Sequence, residues 1–408
     1  VGSEMCIRDR SISVIDLEDL RDQGSTDIKS ITRYEPGISV FDPRNVNYGG
    51  STSTGNLNIR GMRQNRILFI QDNIRLPAGF YGVGYDYSNA NTVDFFTLNA
   101  IDIFKGPASS LYGSDALGGV VSFNTLTVDD LLEDGENFNV EIPVKYNGAN
   151  ESVGGAGRVA YRDEESGLSF LAVLGKSEAK ELKPNGAADI YVNDAEISTN
   201  SALLNVNKQI DPSNKLGFTV DIYSKDSDIA RASGNLSTGY FNYTKQESDV
   251  YQTKNRYILS WEHDAIDKTN FVDNLKAKIY YQDYETRDYW NEFQAEKYFF
   301  GRLLNQDRDV YSRYKLTDDS YGLDLQLGST INNHQLTYGV DYSLTSNEYY
   351  QDKYTITNGT ESHTYFSTDY PIKRSPDTDT QRLGVYIQDE FVNGLSLIHI
   401  SEPTRPLT

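Results

Sequence analysis

Residues 215–225, "KLGFTVDIYSK", place Leu216, Phe218, Val220 and Ile222 at one parity and Gly217, Thr219, Asp221 and Tyr223 at the other. Successive side chains of a strand point to opposite faces, so this stretch has one apolar and one polar face. The period recurs in "NLKAKIYYQDY" (274–284), "SYGLDLQLGS" (320–329), "HQLTYGVDYSL" (334–344) and "QRLGVYIQDE" (381–390). From residue 137 onward we expect roughly ten such strands, each near the ~9–11 residues that cross a bilayer when tilted. A soluble sandwich with one buried face would alternate in the same way. The connections separate the two. Short ones, "DEES" (163–166), "DPSN" (211–214) and "INN" (331–333), alternate with long ones at 178–200, 226–253, 287–319 and 347–379. Loops of that length are uncommon in compact domains, whereas outer-membrane barrels place short turns on the periplasmic side and long loops outside.

The expected fold is therefore mainly β: a transmembrane antiparallel β-barrel, incomplete at about ten strands, because an open sheet edge leaves backbone groups unsatisfied in lipid. An α/β domain precedes it. The divisions are 11–128 for that domain, 129–136 for a linker and 137–394 for the N-terminal part of the barrel. Residues 1–10 and 395–408 ("LSLIHISEPTRPLT") continue neither neighbouring pattern and are read as non-native tails, so Cys6 carries no redox information. "VGSEMCIRDR" lacks the apolar core of a signal peptide. A formal charge of −21 argues against a nucleic-acid partner, which would require a Lys/Arg surplus. Thirty tyrosines beside two methionines suit strands and half-wet positions.

In the first domain, "IDLEDLRDQ" (15–23) and "STDIKSITRY" (25–34) read as helices, the second capped by Ser25 or Thr26. The glycine-rich stretch "IDIFKGPASSLYGSDALGGVVSFN" (101–124) is no phosphate loop, since Ser114 and Asp115 follow Gly113 where a Walker loop needs Lys and Ser/Thr. Pro107 can start a short turn and Gly113 can close it. Gly118 and Gly119 let backbones approach closely. "GAGRVA" (155–160) fits a dinucleotide spacing but lies in an alternating strand, so its small residues are read as lumen-facing. Asn235-Leu236-Ser237 and Asn242-Tyr243-Thr244 are read as loop composition. No catalytic triad, carboxylate pair or metal spacing stands out, and the chain is not expected to be an enzyme.

"SITRYEPGISV" (30–40), "LNIRGMRQNRILFIQDNIRLP" (57–77) and "IDIFKGPASSLYGSDALGGVVSF" (101–123) resemble the plug of TonB-dependent outer-membrane receptors, and the likeness continues to "LGVYIQDEF" (383–391). Gly61, Gly106, Pro107, Tyr112, Gly113, Gly118 and Gly119 carry the plug motif. The resemblance implies energised import across the bacterial outer membrane, with extracellular loops and a plug reachable from the periplasm. It also implies an inner-membrane TonB complex as partner, acting through a segment upstream of Ser11, and outer-membrane lipid around the wall. Within the family the haem and haemoglobin receptors are most similar, so haem is expected as transported ligand and no prosthetic group is expected. Siderophore or cobalamin import is the alternative, and a passive pore or adhesin the alternative of another class.

Two sets of residues follow. Arg60, Arg66, Arg75 and Lys105 of the plug are expected to pair with carboxylates on the inner wall, with Asp389 and Glu390 as candidates. For the ligand, the resemblance implies a His at the plug apex and another in an outer loop with FRAP and NPNL motifs, neither of which is present. Strand counting puts His263 and His334 beside the short turns, leaving His363 on the outer side. The apical stretch "GFYGVGYDYSNAN" (79–91) offers Tyr81, Tyr85 and Tyr87, and haem iron accepts a phenolate.

Overall fold

The computed structural model describes residues 12–24, 28–32, 35–41, 56–63, 66–77, 79–81, 84–86, 92–108, 116–181, 194–230, 242–265, 272–299, 302–363 and 376–391. Among these residues no helix is long and apolar enough to cross a membrane. The first domain runs through β1 (Ile12–Ile15), α1 (Leu17–Asp22), α2 (Ile28–Thr32), β2 (Ile38–Phe41), β3 (Asn56–Ile59), β4 (Ile67–Gln71), β5 (Ile74–Arg75), β6 (Gly79–Tyr81), β7 (Gly84–Asp86), β8 (Leu98–Phe104) and β9 (Gly119–Thr125). α1 begins at Leu17, two residues later than expected, capped by Asp16, whose carboxylate accepts from the Asp19 amide at 2.9 Å. Ser25 and Thr26, the expected caps of α2, lie outside the described residues.

Five strands form one sheet in the order β1-β8-β9-β4-β5, with β4 and β9 parallel. Parallel strands covered on both faces read as near-continuous apolar runs, hence "ILFI" and "GVVSF". Ile67, Phe69, Ile101, Ile103, Val121 and Phe123 pack beneath Leu20, Ile28 and Ile31 of the helices. Leu68, Ile70, Phe104 and Val120 form the second face with Ala108 and Ala116. A side chain at Gly119, where φ is +155°, would put its Cβ 2.3 Å from the Phe104 carbonyl oxygen, and one at Gly118 would lie 2.7 Å from Met62 Cβ. The tight return of the glycine-rich stretch into β9 needs both.

The second domain is a 12-stranded antiparallel sheet. It comprises β10 (Phe138–Glu141), β11 (Val144–Asn147), β12 (Ser152–Asp163), β13 (Leu168–Lys180), β14 (Asp194–Asp211), β15 (Asn214–Ala230), β16 (Asn242–Asp264) and β17 (Asn274–Ala295). After the small hairpin of β18 (Lys297–Phe299) and β19 (Arg302–Asn305) come β20 (Arg308–Ile331), β21 (His334–Thr357), β22 (Thr360–His363) and β23 (Thr378–Phe391). β10 and β11 lie end to end along β12, and β22 pairs only the far end of β21, so the twelve strands fill ten positions.

Burial is inverted relative to a soluble sheet. On β15 the apolar parity is exposed, with Leu216 at 42% and Phe218 at 44%, while Asp221 and Tyr223 are at 3% and 4%. Leu259, Trp261, Ile279, Leu323, Val385 and Ile387 continue the exposed apolar band across the sheet. Tyr257, Tyr281 and Tyr321 stand in register above it with ring centroids 6.3 and 4.7 Å apart. An apolar outer band under an aromatic girdle is the surface of a lipid-facing barrel wall.

The long connections are shorter than the sequence suggests. The ladder runs on until only 181–193 and 231–241 remain between β13 and β14 and between β15 and β16. Strand β20 has 24 residues, roughly 80 Å along its length at ~3.4 Å per residue, far beyond a ~30 Å hydrocarbon core. Beyond lipid the outer face is wet and the inner face, though buried, is largely polar, as at Ser248, Thr286, Asp288, Ser312 and Gln351, so the apolar period vanishes while the hydrogen-bonded ladder persists. Cross-strand contacts such as the Tyr311–Tyr354 stack at 4.9 Å support it there.

Candidate functional site

The expected linker is packed at Leu131 and Leu132 and exposed over 133–136. Thr127 and Asp130 form a capping box around a 3-10 turn at Val128–Asp130, and Leu131 and Leu132 join Leu126 and Phe96 against Ala156, Ala160, Leu171, Val173 and Leu203 of the wall. A Cβ at Gly154 would lie 2.9 Å from the Phe96 ring, and one at Gly175 would lie 3.0 Å from Asp94 Oδ2. Ala156 and Ala160 of "GAGRVA", with Gly154 before it and Gly175 of the neighbouring strand, thus form a seat for the plug rather than a nucleotide loop, while Gly155 and Gly157 stand at the opposite parity, away from the lumen where they were expected. Arg158 donates from Nε and one terminal nitrogen to the Phe96 carbonyl, at 3.2 and 2.8 Å. Ser201 donates to Asp94 Oδ2 at 2.5 Å, and the Phe96 amide donates to Asp94 Oδ1 at 2.9 Å. Burial holds the Asp94 carboxyl above its ordinary range against these hydrogen bonds.

The deepest contact surrounds the turn between β4 and β5. Asp72 and Asn73 both adopt positive φ, 52° and 67°, the conformation of a tight two-residue hairpin that these residue types tolerate. The hairpin points Gln71 and Asp72 at β15 and β16. Arg256 donates to Asp221 Oδ2 at 2.9 Å, to the Gln71 carbonyl at 2.8 Å and to Asp72 Oδ2 at 2.7 Å. Lys254 donates to Gln71 Oε1 at 2.6 Å and to the Thr92 carbonyl at 2.5 Å, with Asp221 Oδ2 at 3.5 Å. Gln71 Nε2 donates to the same Asp221 oxygen at 3.1 Å. Asp72 Oδ1 accepts from the amide and hydroxyl of Thr125 at 2.9 and 3.0 Å, tying the hairpin back to β9. Two cations and two carboxylates balance in a nearly dry site. Lys278 and Gln282 of β17 donate to the carbonyls of Asp72 and Arg75, at 3.3 and 3.2 Å.

This polarity reverses the expected one. The most deeply buried ion pair between the two domains joins a wall cation, Arg256, to a plug carboxylate, Asp72, while Lys254 and Arg256 also pair with Asp221 of the wall itself. Arg60 donates to the Lys105 carbonyl at 3.0 Å and Lys105 pairs with Glu35 at 2.8 Å, so both act inside the plug. Arg66 is exposed, and its carbonyl accepts from the Gly118 amide at 2.6 Å. Among the described residues, Arg75 is the one of the four that lies near a wall carboxylate, Asp341, closely enough for electrostatic attraction. Asp389 shares the outward parity of Val385 and Ile387, so it turns away from the plug and meets His334 Nδ1 at 2.8 Å. Glu390 sits beside it at the strand end, opposite Gln335. A plug cation not foreseen, Arg21, reaches the wall carboxylate Glu141 at 2.6 Å, which Arg158 also binds at 3.2 Å.

Tyr81 and Tyr85 lie in the hairpin of β6 and β7, and only their backbones are described. Tyr87, Tyr112 and Gly113 fall outside the described residues, while Gly61, Gly106 and Pro107 stand at the turns after β3 and β8. His363 ends β22, its Nε2 3.0 Å from Glu361 Oε1 and its ring 5.9 Å from that of Tyr354. His263 meets Asn214 at a short-turn end of the sheet. Among the described residues no group of three or more His, Cys, Asp or Glu converges to hold a metal.

The sequence matches the TonB-dependent Receptor Plug Domain over residues 8–120 and the TonB dependent receptor-like β-barrel over residues 189–397. Among curated proteins it is 31% identical over 174 residues to transferrin-binding protein A of Neisseria gonorrhoeae, covering 40% of this chain and 18% of that protein. It is 26% identical over 167 residues to lactoferrin-binding protein A of Neisseria meningitidis serogroup B, covering 39% and 17%. To hemoglobin-haptoglobin-binding protein A of Haemophilus influenzae it is 26% identical over 293 residues, covering 65% and 25%. The chain thus spans a quarter or less of these relatives. Solved structures with the same fold include P. aeruginosa FpvA bound to pyoverdine, at TM-score 0.60 and 17% identity over 94% of this chain and 49% of that one. Another is the FrpB iron transporter of Neisseria meningitidis, at TM-score 0.56 and 14% identity over 86% and 63%. A plug sheet seated by buried ion pairs on the inner face of a lipid-facing strand wall, in that chain order, places this protein in the family of TonB-dependent receptors, which are outer-membrane β-barrels.

Proposed function

We propose that the full-length protein imports an iron-containing ligand across the bacterial outer membrane, energised by the TonB complex, with haem or haem from haemoglobin as the ligand. The observation that supports import over a passive pore is the plug itself: a domain fixed to the inner wall through Gln71, Asp72, Thr92 and Asp94 has no use in an open channel. The long loops and the far ends of β16, β17, β20 and β21 then stand outside the cell. The apical stretch 79–91 forms the plug side of the ligand pocket, with a phenolate from Tyr81, Tyr85 or Tyr87 on the iron and His363 on the outer side.

The relatives named for transferrin, lactoferrin and hemoglobin-haptoglobin favour a protein-borne iron source. Iron taken from a transferrin-like protein is therefore the second reading. One growth experiment separates the alternatives: the full-length gene is placed in an iron-starved haem auxotroph, with and without TonB, and fed haemoglobin, transferrin or a ferric siderophore. Growth on haemoglobin that requires TonB is expected. Growth on transferrin alone selects the second reading, and growth without TonB sinks energised import. Phenylalanine at all three apical tyrosines should weaken haemin binding and shift its iron charge-transfer band, and an unaltered spectrum would rule out phenolate ligation.

A further inference from the structure

We infer that Lys254 is a positioning residue for the plug apex: one buried ammonium of the wall clasps both the point where the chain enters the apical segment, Gln71, and the point where it leaves, Thr92. The inference rests on the ligand role proposed above for that segment. An ammonium has three protons. Lys254 directs them at Gln71 Oε1 (2.6 Å), the Thr92 carbonyl (2.5 Å) and Asp221 Oδ2 (3.5 Å). Its side chain is 1% exposed, between the cross-strand neighbours Tyr223 and Tyr284, both buried. In so dry a place each bond is stronger than at a surface, and leaving one unmade is costly.

The segment between these two points contains β5, β6 and β7. Among the described residues the β6–β7 hairpin pairs with no other strand, and a lone two-stranded hairpin is marginal. Its place over the plug therefore depends on its feet. Fixing both feet to one atom removes the freedom of their separation, the main entropic variable of a loop. Arg256 reinforces the entering foot through the Gln71 carbonyl and Asp72. Adhesion alone would not need charge here, since Phe96 is seated on the same wall by Gly154, Ala156 and Ala160. Buried ionic groups are best attested as devices that fix register rather than add stability.

The test uses the full-length receptor in a cysteine-free background, with a spin label at Asp86→Cys in β7. Lys254→Met should convert an immobilised label spectrum into a mobile one. It should also lower affinity for haemin and haemoglobin by about tenfold or more through faster dissociation, while the heat-resistant migration of the folded barrel is unchanged. Gln71→Met, which removes one acceptor and leaves the Lys254–Asp221 pair, should loosen the label partway, and it decides the question if Lys254→Met does not assemble. An unchanged label spectrum overturns the inference. A loosened label with unaltered haemin and haemoglobin affinity keeps the clasp and sinks the apical ligand reading instead.

Discussion

At the residue scale, Asp94 shows how one buried group can carry a conflict. Its carboxylate accepts from Ser201 and the Phe96 amide, yet burial pushes its pKa up. A carboxyl whose folded pKa is raised contributes its full stability below the unfolded value, about 4, and loses it as pH rises through the folded value. Asparagine keeps the acceptor for Phe96, and its amide can donate to a reoriented Ser201 hydroxyl. Asp94→Asn should therefore melt with the parent near pH 4 and at higher temperature than the parent at pH 8, followed as the plug transition in calorimetry. A variant that is less stable at pH 8 would mean that the ionised carboxylate, with Lys145 nearby, is the form the fold prefers. The Phe96 amide is a local partner, but nothing in "TVDFF" marks Asp94 as a wall contact, because Ser201 lies 107 residues away.

At the element scale, each wall strand has two jobs on opposite parities, and a single substitution can address either. Leu259 sits in the exposed apolar band between Tyr257 and Trp261. Leu259→Arg should destabilise the barrel by about 2–4 kcal/mol, as expected for a cation near the bilayer midplane, whereas arginine at Tyr251, above the girdle, should cost about 1 kcal/mol or less. Urea unfolding in lipid vesicles measures both, and equal costs would mean that the girdle does not mark the lipid boundary. The apolar parity of "KLGFTVDIYSK" was legible because lipid imposes it on every strand. The inward parity was not, since Asp221, Lys254 and Arg256 answer to plug groups up to 185 residues away, and no local period records such a partner. The extended ends of β16, β17, β20 and β21 read as loops for a related reason: with water outside and buried polar side chains such as Ser248, Asp288 and Gln351 inside, the sequence no longer alternates.

At the scale of the whole molecule, the question is whether the ionic cluster at Gln71–Asp72 holds the plug in or tells it where to sit. The plug is attached elsewhere by the apolar contacts of Phe96, Leu126, Leu131 and Leu132, so adhesion does not depend on the cluster. Removing one member should nevertheless be costly. Arg256→Met strips a fully buried site of its guanidinium and leaves Asp221 with only Lys254 and Gln71, and Asp72 with only Thr125, at a cost of about 3–5 kcal/mol. Removing Asp221 as well, in Arg256→Met with Asp221→Leu, takes out one charge of each sign and leaves Lys254 on Gln71 and Thr92. That pair should recover most of the loss, to within ~1 kcal/mol of the parent, because a buried ion pair and an apolar pair of similar volume are close in free energy. Stability measured by proteolysis of the plug in the assembled receptor, and uptake measured in cells, should then part company. The double variant should resist protease like the parent yet import poorly, since its hairpin no longer has the Arg256 guanidinium to return to after each displacement. If the double variant is as protease-sensitive as Arg256→Met, the cluster is an adhesive; if it also imports normally, the apolar contacts alone set the position of the plug.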